Sequence, residues 1–258
     1  MTEPNVENDL AKALKEMLAN SAGNKTFVDA VAAAFKAMHG GVSGRPTFNL
    51  DTMGFLSASL ESYKYASTHM LGKPRFTTRA KLLEFSVENI AVNGPALEFG
   101  VWNGFTINHI ASLMPGSNVY GFDSFEGLPE AWFGKSGGVG QFSRKGEPPK
   151  VRDNVELVAG WFDRTLPAFL DTHHFDHIAL LHIDCDIYSS TQTVFAHLHS
   201  RIVPGTIIVF DEYFNYQTWE RHEFKAFQEF VGFRQIRYEY IGLVPTGEQV
   251  AVRILSVM

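Results

Sequence analysis

Ile178-Ala-Leu-Leu-His-Ile-Asp-Cys-Asp-Ile-Tyr-Ser-Ser-Thr191 decides how the rest of the chain is read. Its first half, Ile178–Ile183, is a short apolar run, the pattern of a strand buried on both faces of a parallel sheet. Polarity then reverses within three residues, so Asp184 and Asp186 stand at the strand's C-terminal end, where open α/β sheets bind their ligands. A second apolar strand, Thr206–Phe210, ends in Asp211-Glu212 and brings another acidic pair to the same edge. Neighbouring carboxylates repel unless a cation or a proton offsets the repulsion. Four acids on two adjacent strand ends therefore point to a divalent metal held by hard oxygen ligands. The same acids could cap the helices that follow, but capping needs one acid per helix and not two.

Outward from this centre, the chain alternates strands with helices. Towards the N-terminus, Thr78–Ile90 has helical spacing, and Asn93-Gly94-Pro95 leads into a first strand, Ala96–Phe99. Glu98-Phe-Gly-Val-Trp-Asn-Gly104 and a helix over Thr106–Leu113 follow. Strand, glycine turn and helix is the arrangement that lets a backbone approach a nucleotide cofactor. Glu98 stands where the first glycine of a dinucleotide fingerprint would be, and a carboxylate there suits a positively charged cofactor. The second strand, Asn118–Phe122, ends at Asp123, the place from which an acid holds a ribose diol by two hydrogen bonds. The Gly-rich segment Phe133–Lys150 reads as a mobile lid. Strand three is Val155–Ala159, and Gly160-Trp161-Phe162 after it could flank an adenine. A helix over Thr165–Leu170 returns the chain to the acidic strand. Beyond Asp211-Glu212, an aromatic loop with Phe214, Tyr216 and Trp219 precedes a helix, Glu220–Phe230. Phe233–Leu243 and Gln249–Leu255 read as a closing hairpin. The fold class expected is α/β: a Rossmann-like, mostly parallel class I methyltransferase sheet with an antiparallel C-terminal hairpin, plus N-terminal helices.

Those helices are expected over residues 5–40 and again over Leu50–Met70, with a Gly-rich break between them. Residues 1–76 are thus a helical segment for lid, substrate or oligomer contacts, and 77–258 the main domain. The chain has 258 residues, 45% of them hydrophobic, and a net charge of −6. That length can bury a full core, and the negative balance argues against nucleic acid as a partner. The single cysteine excludes an internal disulfide, the polar N-terminus is wrong for a signal peptide, and no run of about 18 apolar residues could span a bilayer. A cytoplasmic location is expected.

Glu98–Gly104, Phe122-Asp-Ser-Phe-Glu-Gly-Leu-Pro129, Leu181–Thr191 and Phe210-Asp-Glu-Tyr213 together resemble the macrocin O-methyltransferase family, from roughly Thr77 to the C-terminus. The resemblance implies transfer of a methyl group from S-adenosylmethionine to a sugar hydroxyl of an antibiotic-type natural product, with Mg²⁺. It implies that Glu98 and Gly100 lie against the methionine part of the cofactor and that Asp123, with Ser124, holds the ribose. By the same resemblance Gly160, Trp161 and Phe162 would border the adenine, and Asp184, Asp211 and Glu212 would be the metal ligands. Two departures stand out: Phe105 follows Gly104 where the family often has Gly-Gly, and Asp211-Glu212 stands where Asp-Asp is common. A base must accept the hydroxyl proton, with Asp184 the first choice and His182 and Asp186 the alternatives. Cys185 reads as packing. The expected partners are a small glycoside acceptor and further copies of the chain, with acceptor contacts from the Phe133–Lys150 loop, the Phe214–Trp219 aromatics and the N-terminal helices. Methylation of a catechol-like diol, NAD-dependent oxidation and non-catalytic S-adenosylmethionine binding are the competing readings.

Overall fold

The computed structural model describes residues 50–135 and 137–258. The helices expected over 5–40 and the Gly-rich break lie outside the described residues. By contact density the chain divides into Met1–Glu61 and Ser62–Met258, a division that falls within helix α1, Leu50–His69. Everything below concerns the second unit.

Helix α2, Arg79–Glu88, starts where Thr78 accepts a hydrogen bond from the Lys81 amide at 3.3 Å, and it buries Leu82, Leu83 and Ser86. The other helices are α3, Phe105–Leu113; α4, Phe162–Thr172; α5, Tyr188–Leu198; and α6, Glu223–Phe233, with a short 3₁₀ turn at Trp219–Arg221 before it. The strands are β1, Ala96–Phe99; β2, Val119–Asp123; β3, Val155–Ala159; β4, Leu180–Ile183; β5, Ile207–Phe210; β6, Arg237–Leu243; and β7, Val250–Ser256. They form one seven-stranded sheet in the order β3-β2-β1-β4-β5-β7-β6. β1 to β5 are parallel, and β7 runs antiparallel between β5 and β6. The class I methyltransferase sheet with its antiparallel hairpin is the fold observed.

β1, β4 and β5 are buried at every position, as continuous apolar runs require. One face of the sheet packs on α2 and α3 through Leu82, Leu83, Ile107, Ile110, Leu180, Ile207 and Val209. The other carries aromatics, with Phe99 stacked on Phe122 at 4.6 Å, and over it Phe195 of α5 stacks on Phe230 of α6 at 4.5 Å. Element boundaries differ from the sequence reading most at two helices. The last helix runs on to Phe233, so the following strand starts at Arg237 and not at Phe233. α4 begins at Phe162, three residues earlier than expected, which makes Trp161 its N-cap. Among the described residues no helix is long and apolar enough to cross a membrane.

Candidate active site

Strand order reverses between β1 and β4, and ligands bind beyond the strand ends at such a point. Side chains on a strand alternate faces, so the α2-facing positions run Ala96, Glu98, Gly100 on β1 and its extension, Leu180, His182, Asp184 on β4, and Ile207, Val209, Asp211 on β5. In register, Glu98 pairs with His182 and His182 with Val209. Each row therefore starts apolar and turns polar towards the C-terminal end. The backbone ladder continues past the strands, since the Asp184 amide donates to Phe99 O and the Asp211 amide to Ile183 O, both at 2.9 Å. Asp184 and Asp211 are thereby set side by side.

One ligand atom each from Asp184, Asp211 and Glu212 lie within 4.8 Å of one another. The donors are all carboxylate oxygens, the set a hard cation prefers. Asp211 Oδ1 and Glu212 Oε2 are buried and carry no hydrogen bond, so the cluster has acceptor capacity that the protein does not use. The residues present fit a divalent ion. Neither acidic pair caps a helix: the N-caps of α5 and α6 are Ile187 and His222.

Asp186 reaches the cluster by a turn, not by strand alternation, because β4 has ended and Asp186 adopts φ +67°. Glu223, which sequence reasoning missed, holds this arrangement from α6. Its two carboxylate oxygens accept the amides of Asp186 and Glu212, each at 3.2 Å, and tie both acidic turns to one buried side chain. Arg79 was missed as well. Its Nη1 donates to Asp184 Oδ2 at 3.2 Å and to Asp211 Oδ2 at 2.8 Å. No local signal marks either residue; each meets its partners only through the fold.

Loss of solvent raises most of these acids. Burial pushes Asp186 up to about 7 against the pull of Lys135. Burial, then the neighbouring Asp211 charge, holds Asp184 and Glu212 well above the carboxylate range. Glu223 is raised by burial and by Asp186. Burial also raises Glu98, against His182. Burial opposes the Arg79 charge, but the carboxylates of Asp211 and Asp184 outweigh it and hold its pKa above the ordinary value.

A cavity of about 680 Å³ joins this cluster to the glycine turn. Gly100, Trp102, Asp123, Ser124, Trp161, Phe162, Asp184, Asp186, Asp211 and Glu212 all line it. Three residues expected at a ligand do not. Glu98 and His182 are fully buried behind the wall, with Glu98 Oε1 3.5 Å from His182 Nδ1, and all four of their side-chain polar atoms lack a hydrogen bond. His182 Nε2 lies 3.9 Å from Asp211 Oδ1. Glu98 therefore faces a histidine and not the cavity, because it points to the α2 side of a strand enclosed on both faces. Gly160 is also off the wall; its amide donates to Asp123 O. Gly100 is needed first for the sheet: with φ +95°, a Cβ there would lie 1.7 Å from the Asp184 carbonyl oxygen.

Asp123 is more heavily engaged than its sequence position suggested. Its Oδ2 accepts from the Val101 and Trp102 amides at 2.9 and 2.7 Å, and its Oδ1 from Phe125 at 2.7 Å. A carboxylate offers about four acceptor positions, so one is left for a ligand where two bonds to a ribose diol were expected. The glycine-rich segment forms wall. The Leu128 amide donates to Gln141 O and its carbonyl accepts from the Gly140 amide, the Arg144 and Gly146 amides both donate to Phe125 O, and Gln141 and Phe142 border the cavity. Lys135 bonds Glu248 and lies over the rings of Trp132 and Tyr216, at 4.5 and 4.7 Å. Phe214, Tyr216 and Trp219, read as acceptor contacts, are buried core. Exposed aromatics at the cavity come instead from Trp102 and Phe105. Cys185 is buried, its Sγ 3.5 Å from Thr191 Oγ1, as packing predicts.

Residues 97–213 match the family model described as a methyltransferase domain. Among curated proteins, the chain is 25% identical to mycinamicin III 3''-O-methyltransferase of Micromonospora griseorubida, over 59% of this chain and 68% of that one. It is 27% identical to 8-demethyl-8-(2,3-dimethoxy-alpha-L-rhamnosyl)-tetracenomycin-C 4'-O-methyltransferase of Streptomyces olivaceus, over 51% of this chain and 58% of that one. Among solved structures, the calicheamicin methyltransferase CalS11 shares the fold with a TM-score of 0.55 and 24% identity, covering 67% of this chain and 76% of that one. The O-methyltransferase NovP does so with a TM-score of 0.50 and 23% identity, covering 69% and 79%.

Proposed function

We propose that this S-adenosylmethionine-dependent O-methyltransferase acts on a sugar hydroxyl of a glycosylated natural product, as the macrocin-type enzymes it resembles do, with a divalent cation, Mg²⁺, held by Asp184, Asp211 and Glu212. One observation carries the reading: a single cavity runs from the glycine turn and Asp123 to the three carboxylates. A methyl donor and an acceptor hydroxyl need that adjacency, because displacement at carbon is in line and orientation alone can supply several kcal/mol of the barrier. Residues 77–258 carry the catalytic domain in this reading. Two curated relatives bear names of natural-product O-methyltransferases, one of them naming a rhamnosyl-bearing substrate, which supports a glycoside acceptor.

Roles follow from which atoms reach the cavity. Trp161 and Phe162 offer apolar surface to an adenine, and Asp123 offers one remaining acceptor position to a ribose hydroxyl. A divalent ion at the acidic cluster would supply Lewis acidity towards the acceptor hydroxyl. His182 is walled off, so it cannot take the acceptor proton; it stands behind Asp211, 3.9 Å away. Asp184 and Asp186 both face the cavity. Asp184 is already bonded by Arg79 and shares the ligand set, so proton acceptance falls to Asp186 and cation binding to Asp184.

The test is calorimetric titration of S-adenosylhomocysteine into the purified chain, followed by methyl transfer to glycosides and to simple catechols with and without EDTA. Micromolar binding, about −8 kcal/mol, with glycoside turnover that EDTA removes, is the expected result. Turnover of catechol alone would reject the sugar acceptor, and EDTA-resistant turnover would reject the cation.

A further inference from the structure

The acidic cluster already contains a cation, and it belongs to the protein. A single guanidinium nitrogen, Arg79 Nη1, lies within hydrogen-bonding distance of one oxygen on each of Asp184 and Asp211. Asp184 stands at the end of β4 and Asp211 at the end of β5, so Arg79 bridges the same two strand ends that a metal would. Hydrogen bonding to the guanidinium occupies Asp184 Oδ2 and Asp211 Oδ2. It leaves Asp211 Oδ1 and Glu212 Oε2 buried and without partners. Arg79 therefore neutralises part of the cluster without completing it. Lys135, whose charge acts on Asp186, is itself bonded to Glu248.

The side chain can also leave. Arg79 is the first residue of α2, its side chain is one third exposed, and it lines the cavity. An ion that takes Asp184 and Asp211 through the Oδ2 atoms Arg79 now holds, at about the 2.1 Å Mg²⁺ demands, displaces the guanidinium from both. We propose that Arg79 is a resident counter-ion that competes with the divalent cation: it holds Asp184 and Asp211 together while the site is empty of metal and withdraws into the cavity when an ion binds. This rests on the reading of Asp184, Asp211 and Glu212 as the cation ligands. Cation affinity is then set by Arg79 as well as by the carboxylates, and the two strand ends keep their spacing through the exchange.

The experiment is Mn²⁺ titration of the full chain, without cofactor, by calorimetry and by the loss of the free-ion electron spin resonance signal. Wild type is compared with Arg79→Met and Arg79→Gln. Both variants should bind Mn²⁺ more tightly, by on the order of tenfold, and should melt below wild type in EDTA but level with it at saturating Mn²⁺. Unchanged or weaker Mn²⁺ binding by folded variants, next to measurable binding by wild type, overturns the competition and leaves the ligand assignment standing. Absence of Mn²⁺ binding in wild type and variants alike overturns the ligand assignment itself, and the competition with it. Should neither variant fold, wild type alone decides: the side-chain ¹⁵N signal of Arg79 must shift on adding Mg²⁺, and an unmoved signal with Mg²⁺ bound rejects the exchange.

Discussion

Asp184 and His182 are two residues apart, yet they should fail differently when replaced. Asp184 meets the cavity, whereas His182 stands behind its wall, 3.9 Å from Asp211 and within 4.8 Å of Asp184. Asp184→Asn should lower turnover by more than about a hundredfold while moving S-adenosylhomocysteine affinity little, because the charge lost lies at the acceptor end of the cavity. His182→Gln should cost about tenfold, within the roughly 10–100-fold range of residues that support a ligand from behind. Steady-state kinetics beside calorimetry separates the two; equal losses would place both residues in one role. Asp184, Asp211, Glu212 and Asp123 were readable from the chain because an acid directly after an apolar strand announces its position. Arg79 was not readable, since its partners are 105 and 132 residues away and nothing around it is periodic with them. Glu223 was hidden for a related reason: on a helix surface a glutamate looks solvated, and only the two amides it accepts explain its burial. Glu98, expected against the cofactor, lies beside His182 and does not line the cavity. Position along the strand is a matter of counting; which group a buried side chain faces depends on the neighbouring strand.

Elements pass constraints to one another, and Gly100 is the tightest case. Gly100→Ala combines a positive φ with a Cβ 1.7 Å from the β4 backbone, so β1 and β4 would have to separate at the switch point. Destabilisation of about 4 kcal/mol or more, at the severe end for single substitutions, should appear as loss of soluble protein or a large drop in melting temperature. A near-native melt would mean that the strands part easily. Lys135→Met tests a softer connection. It removes the bond to Glu248 and the contact with two rings, together about 1 kcal/mol for partly exposed groups. Amide exchange over 126–147 should quicken with the sheet core unchanged; unaltered exchange there would show that the backbone turns at Phe125 and Leu128 suffice. Strands other than β6 were legible to within about two residues because apolar runs end abruptly. Helix ends were harder. α6 continues through Gly232 to Phe233, and the sequence offers no breaker until the backbone has already turned.

For the whole molecule, the buried acids predict how stability varies with pH. Asp184, Asp186, Glu212, Glu223 and Glu98 all have folded pKa values above their ordinary ones. The native state then binds more protons than the unfolded chain, so this contribution is full below about pH 4 and is lost as pH rises through the folded values, about 7 for Asp186. In EDTA the melting temperature should fall between pH 5 and 8, and Mg²⁺ should lift the upper end most. A melting temperature that climbs over that interval would contradict the cost of burying these charges. The global topology was the most legible level of all, because alternating strand and helix patterns leave few sheets that respect right-handed crossovers. Less visible from the chain is where its final strand goes. β7 is inserted between β5 and β6, and Gln249 Nε2, just before it, bonds the Asp211 carbonyl while the Tyr213 amide bonds Glu248 O. During synthesis β5 therefore keeps an open edge until residues 250–256 have left the ribosome. The nascent chain thus completes the support of its acidic centre late, and a polypeptide stalled before β7 is expected to expose the β5 edge and to lack turnover.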